Sequence, residues 1–107
     1  MKESFLEVFN DHFNQTNLPN QQKHGSKLIG RWQRNCKDGT YEVFAIWEYE
    51  SYERYEEIET KIRSDQEHVN RVKQWYDAHG GRDFVYSNYI LEVKNEAIEN
   101  TVQLKRR

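Results

Sequence analysis

The run Tyr41-Glu42-Val43-Phe44-Ala45-Ile46-Trp47-Glu48-Tyr49-Glu50 constrains the fold more than any other part of the chain. β-Branched and aromatic residues dominate it, and a turn cluster from Asn35 to Thr40 stands directly before it, so it reads as a β-strand. Side chains alternate along a strand. Tyr41, Val43, Ala45, Trp47 and Tyr49 therefore share one face, and Glu42, Phe44, Ile46, Glu48 and Glu50 the other. Both faces are apolar in the middle, which predicts a central strand covered on both sides.

The neighbouring segments supply its partners. Lys27 to Arg34 reads as a second strand, with Leu28, Gly30 and Trp32 on one face and Ile29, flanked by Lys27 and Arg31, on the other. Gly30 inside a strand signals a bulge or a close approach by another group. The Asp38-Gly39 turn predicts that the two strands form an antiparallel hairpin. Upstream, Phe5, Leu6, Phe9 and Phe13 recur at helical spacing, giving an amphipathic helix from about Glu3 to Asn14 that can continue through Leu18. Pro19 fits the first turn of a further short helix ending at Gly25, where His24 reads as a helix-end cation.

Downstream, Ser51 is placed to cap a helix whose inner face carries Tyr55, Ile58 and Ile62. Ser64 and Glu67 have capping-box spacing, which predicts a second helical piece with Val69, Val72 and Tyr76 inward and a break near Ser64. Phe84, Val85, Tyr86, Tyr89, Ile90, Leu91 and Val93 make Asp83 to Lys94 read as a last strand. The order helix, strand, strand, helix, strand is a ferredoxin-like βαββαβ pattern lacking its first strand. This is an α+β fold with helices on one face of an antiparallel sheet. At 107 residues it is read as one domain, with a core over about 3–94 and a tail over 95–107.

Composition removes several function classes. A formal charge of −2 argues against electrostatic nucleic-acid binding. No apolar run has the length of a membrane span, and a single cysteine, Cys36, fits a reducing compartment, so a cytoplasmic protein is expected. The acidic run through Glu48, Glu50, Glu53, Glu56, Glu57 and Glu59 spreads over a solvated helix face, and His12, His68 and His79 lack metal-ligand spacing, so no metal or cofactor is expected. Cys36 has no neighbouring histidine in sequence to make it a nucleophile, and phosphate-loop, dinucleotide and nucleophile-elbow motifs are lacking.

Three stretches carry a family resemblance: Lys23-His24-Gly25-Ser26-Lys27-Leu28-Ile29-Gly30-Arg31-Trp32, Ile46-Trp47-Glu48-Tyr49-Glu50-Ser51-Tyr52-Glu53-Arg54, and Arg63-Ser64-Asp65. They resemble the NIPSNAP family, from about Phe5 to Val93, most specifically in the run from Trp47 to Arg54. The resemblance implies a ferredoxin-like fold whose sheets pair face to face in a dimeric α/β barrel, with a cavity between sheet and helices. It implies no agreed reaction. The chain departs from the family pattern where a first strand is expected: either the reading frame starts further upstream, or the alternating tail Thr101 to Lys105 fills the slot. It departs again at Asp65-Gln66, where the family has Asp-Pro, and at His68, near the family's tryptophan.

In a barrel dimer, either Phe44 and Ile46 lie under the helices with Ala45, between Val43 and Trp47, at the partner's sheet, or the two faces are exchanged. Trp32, Trp47, Tyr49 and Arg54 are the candidate pocket lining, since indole and phenol rings beside a guanidinium hold a flat or anionic ligand. The expected function is a homodimeric barrel binding a small aromatic or acidic molecule. The alternatives are a cofactor-independent monooxygenase or haem-degrading enzyme of the same fold, and a non-catalytic interaction subunit.

Overall fold

The computed structural model describes residues 1–101. From Glu3 to Lys23 the backbone is helical throughout: a 3-10 turn at Glu3–Phe5, helix α1 at Leu6–His12, a π-helical turn at Phe13–Asn17 and helix α2 at Leu18–Lys23. The wide turn closes where the Leu18 N–H donates to the Phe13 carbonyl, and Pro19 is tolerated because it falls in the first turn of α2. Gly25, at φ +104°, ends the run. A Cβ there would lie 2.9 Å from the Arg54 guanidinium, so only glycine serves both the turn and the packing.

Strands β1 (Lys27–Asn35) and β2 (Tyr41–Glu48) form the expected antiparallel hairpin. Asn35 and Asp38 fix its loop by accepting from the Lys37 and Thr40 N–H groups at 2.8 and 3.0 Å. Gly30 proves to answer both readings. The register shifts between Leu28 and Gly30, a bulge at Ile29, and the Trp32 indole folds back so closely that a Cβ on Gly30 would lie 2.5 Å from it.

The bulge corrects the predicted faces. Leu28 pairs with Trp47 while Gly30 and Trp32 pair with Ile46 and Phe44, so Leu28 lies on the side opposite Trp32. Arg31, on the side of Ala45 and Trp47, packs beneath the Phe9 and Phe13 rings, and Trp47 meets Phe13. The Ala45 face is thus the one under the helices. The face with Trp32, Phe44 and Ile46 is bare, with Trp32 47% and Phe44 43% exposed, so among the described residues β2 is not covered on both sides.

Ser51 caps α3 (Tyr52–Ser64), accepting from the Arg54 N–H at 3.0 Å. The break falls where expected, but the cap of α4 (Gln66–Ala78) is Asp65, which accepts from the His68 N–H at 3.3 Å; Ser64 instead closes α3. Asp65 can cap because its own backbone is extended, at φ −78° and ψ 91°, outside both helices.

The predicted last strand does not form. Arg82–Val85 is a short helix, α5, continued by a π-helical turn at Tyr86–Ile90, and 91–101 has no regular structure. Gly80 and Gly81, at φ +103° and +96°, terminate α4 and turn the chain. Val85 and Ile90 are then buried against Phe5, with Trp75, Tyr76, Tyr86 and Tyr89 around them, which a strand's alternation would not allow. Leu91 reverses the chain at φ 74°, spanned by a hydrogen bond from the Glu92 N–H to the Ile90 carbonyl.

The result is an α+β architecture with a two-stranded antiparallel sheet and helices, consistent with a ferredoxin-like arrangement. Beside the start of β2, the Met1 carbonyl accepts from the Tyr41 N–H and the Glu3 N–H donates to the Gly39 carbonyl, with Lys2 bridged to Thr40. The alternative of a strand at Thr101 to Lys105 lies, past Thr101, outside the described residues. Buried apolar side chains among the described residues are few: Phe5, Ile58, Ile62, Val85 and Ile90. The accessible surface is 8550 Å², where a compact monomer of this mass has about 6,400 Å². The bare sheet face and the exposed run over 91–101 both contribute to that excess. Among the described residues no helix is long and apolar enough to cross a membrane.

Candidate functional site

Three stretches distant in sequence, 23–26, 47–54 and 63–65, come together at one corner, where α2 ends and α4 begins. Asp65 is its hub. Oδ2 accepts from His24 Nε2 at 2.9 Å, Asn20 Nδ2 at 3.1 Å and Lys23 Nζ at 3.3 Å, while Oδ1 caps α4. The His24 hydrogen bond above all, and then the His68 N–H, hold the Asp65 carboxyl well below the usual carboxylate range. Asp65 and His24 are only 13% and 15% exposed as side chains, so bulk water does little to weaken their contact. His24, expected from the sequence at a helix end, stands at the C-terminus of α2 with its ring against Asp65.

Next to this hub, Gln21 and Tyr49 share Ser26: the Ser26 hydroxyl donates to Gln21 Oε1 at 2.5 Å and lies 3.5 Å from the Tyr49 hydroxyl. Burial raises the Tyr49 phenol above its ordinary range, so it is a neutral donor at physiological pH. Its ring meets Tyr55 edge-on at 5.0 Å. Arg54 covers Gly25 and donates to Glu57 Oε2 at 3.1 Å. A guanidinium has five N–H groups, so Arg54 has more donors than that one pair uses.

The four predicted lining residues are therefore divided. Tyr49 and Arg54 are brought together around Gly25 and Ser26. Trp47 packs on the Phe13 ring at 6.2 Å, in the layer between sheet and helices, and Trp32 lies on the opposite face of the sheet, tilted against Phe44 at 5.5 Å. Of the acidic run, all but the half-buried Glu59 are exposed, and among the described residues no group of three or more His, Cys, Asp or Glu side chains is placed to hold a metal ion.

Two polar residues central to the layer escape a sequence reading. Arg31 donates to Asn10 Oδ1 at 2.6 Å, stacks on Phe13 at 4.2 Å, and leaves its buried Nη2 without a hydrogen-bond partner. Burial lowers its pKa. Its only sequence signal is a cation within an apolar strand opposite the Phe9 and Phe13 stripe. Asn20, buried beside Asp65, has no signal at all in a run of amides and also keeps an unpartnered atom, Oδ1.

In a comparison with known protein families, the model described as NIPSNAP matches residues 1–79. No curated protein and no solved structure matches the chain.

Proposed function

Because the chain belongs to the NIPSNAP family, we propose that it works as a homodimer joined through the bare face of β1 and β2, and that it binds a small aromatic or acidic molecule at the Tyr49–Arg54 corner. The observation that carries the reading is the composition of that bare face. Trp32, Phe44 and Ile46 form an apolar centre, closed at one end by the Arg34–Glu42 pair at 3.1 Å and at the other by Lys27–Glu48 at 3.7 Å. An apolar centre with a charged rim is the anatomy of a protein interface, and a two-fold axis through the centre would lay the same patch on itself.

Light scattering is expected to return twice the 13.1 kDa of one chain. The double substitution Trp32→Glu and Phe44→Glu should weaken self-association by roughly a hundredfold, the scale of losing central aromatic anchors, with the helical circular dichroism unchanged. A mass of 13.1 kDa at every concentration would end the dimer reading.

The corner is tested separately. Native mass spectrometry of freshly purified protein is expected to show a bound small molecule that Arg54→Ala releases and Arg54→Lys partly retains. A molecule retained by Arg54→Ala places the ligand elsewhere. No bound molecule at all favours a purely structural interaction subunit.

A further inference from the structure

A concavity lined by neither Tyr49 nor Arg54 opens along α4. It encloses about 500 Å³, within the range of small-molecule sites. Its apolar lining comes from Ile62 at the end of α3 and from Val69, Val72 and Tyr76, which follow one another at helical spacing along α4. Val69 is 37% exposed, so this stripe is left open to solvent rather than closed into the core.

The charges around it are unbalanced. Asp77 is the only acid in the lining, and Lys73, one turn away, pairs with it at 2.7 Å. Arg63 and Arg82 also line the groove, and among the described residues neither has a carboxylate partner. Arg82 is oriented even so: its guanidinium stacks on the Tyr76 ring at 4.4 Å, which occupies its flat face and leaves its N–H edges as donors. The Tyr76 phenol, pushed well above its ordinary pKa by burial, is neutral and adds no competing anion.

We propose that this groove binds an amphiphilic carboxylate, its apolar body on Val69 and Val72 and its head held by Arg63 and Arg82. Charge complementarity selects the head: two unpaired planar donors suit a carboxylate, which accepts bidentate hydrogen bonds from a guanidinium. The apolar floor selects the body, because a short polar anion would leave Val69 and Val72 uncovered. The site does not depend on the Tyr49–Arg54 corner, nor on the dimer interface.

Titration calorimetry with decanoate, below its micelle concentration, tests the assignment on the full chain. Decanoate is expected to bind with one site per chain, and decanol and acetate at least tenfold more weakly, since each keeps only one half of the recognition. Arg82→Ala and Arg63→Ala should each weaken decanoate by about tenfold, and Val69→Asp should abolish it. Lys37→Ala, in the hairpin loop away from the groove and the corner, should leave the affinity unchanged, and a loss of decanoate binding on Arg54→Ala as large as that on Arg82→Ala would place the carboxylate at the corner and overturn the proposal. Gln substitutions at Arg63 and Arg82 guard against loss of packing, because they keep most of the stem and remove the charge. Equal binding of decanol and decanoate, no response to either arginine substitution, or no binding at all would overturn the proposal. Tighter binding of decyl phosphate than decanoate would also overturn the choice of head group.

Discussion

Replacing Phe5 with alanine is expected to destabilise the protein by about 3–5 kcal/mol, the usual cost of truncating a buried aromatic residue. Phe5 is 3% exposed, stacks flat on Tyr89 at 4.5 Å, and meets Trp75 and His79 edge-on at 5.6 and 5.7 Å. It also belongs to the small buried cluster with Val85 and Ile90. Domains of ordinary size are stable by roughly 5–15 kcal/mol, so with so little buried apolar area this loss is a large share of the whole. Urea unfolding monitored by tryptophan fluorescence should show the midpoint fall accordingly. Ile98→Ala, at a side chain 69% exposed, should shift it by no more than about 0.5 kcal/mol. A Phe5→Ala protein as stable as the parent would mean that the cluster does not hold the two ends of the chain together.

Acid should destabilise the protein over two pH windows, the first set by His12. Its imidazole is 6% exposed, stacks on Trp75 at 4.0 Å, and has its pKa lowered from 6.5 to about 4, first by burial and then by His68 and His79 nearby. In the unfolded chain the same ring takes up its proton near 6.5, so protons favour the unfolded state in the interval between. The stability tied to neutral His12 is complete above about pH 6.5 and is lost as pH falls toward 4. The full loss is about 3 kcal/mol at 1.36 kcal/mol per unit.

Asp65 contributes in a lower window. Its folded pKa is depressed, so its contribution is present above the ordinary value of 3.8 and disappears as pH falls beneath that. Urea midpoints from pH 7.5 down to 4 should trace the His12 stage. His12→Phe, which keeps a ring against Trp75 without a titrating group, should flatten it. An unchanged slope in that variant would assign the proton uptake to another group.

Residues with one strong local role were legible before any coordinates. Ser51 before an apolar helical stripe, Gly25 after a helix end, and Asp38-Gly39 between strands all do what their chemistry suggests, because a cap or a turn is decided within a few residues. Asp83 to Lys94 failed for a different reason. Val85 and Tyr89, and Tyr86 and Ile90, stand four apart as well as alternating with other residues, so the same letters satisfy a helix and a strand. Burial against Phe5, from the far end of the chain, decided between them.

The sheet faces were misread by a single residue. Side-chain direction has a period of two, so the bulge at Ile29 moved Leu28 across the sheet and left no trace in composition. At the candidate corner, Tyr49 and Arg54 were visible because their types suggest chemistry. The Asp65 hub was not visible, since the cap was read one residue early, at Ser64, and its donors Asn20, Lys23 and His24 precede it by more than 40 positions.

The Phe5 cluster also has a kinetic consequence. The hairpin and the α3–α4 pair close over short separations, whereas Phe5 finds Val85 and Ile90 only after nearly the whole chain has been gathered in. Long closures carry the larger entropic cost and tend to complete late. Truncating Phe5 therefore acts after the rate-limiting step: it accelerates unfolding far more than it slows refolding, and the lifetime of the native state, rather than the speed of reaching it, rests on that ring.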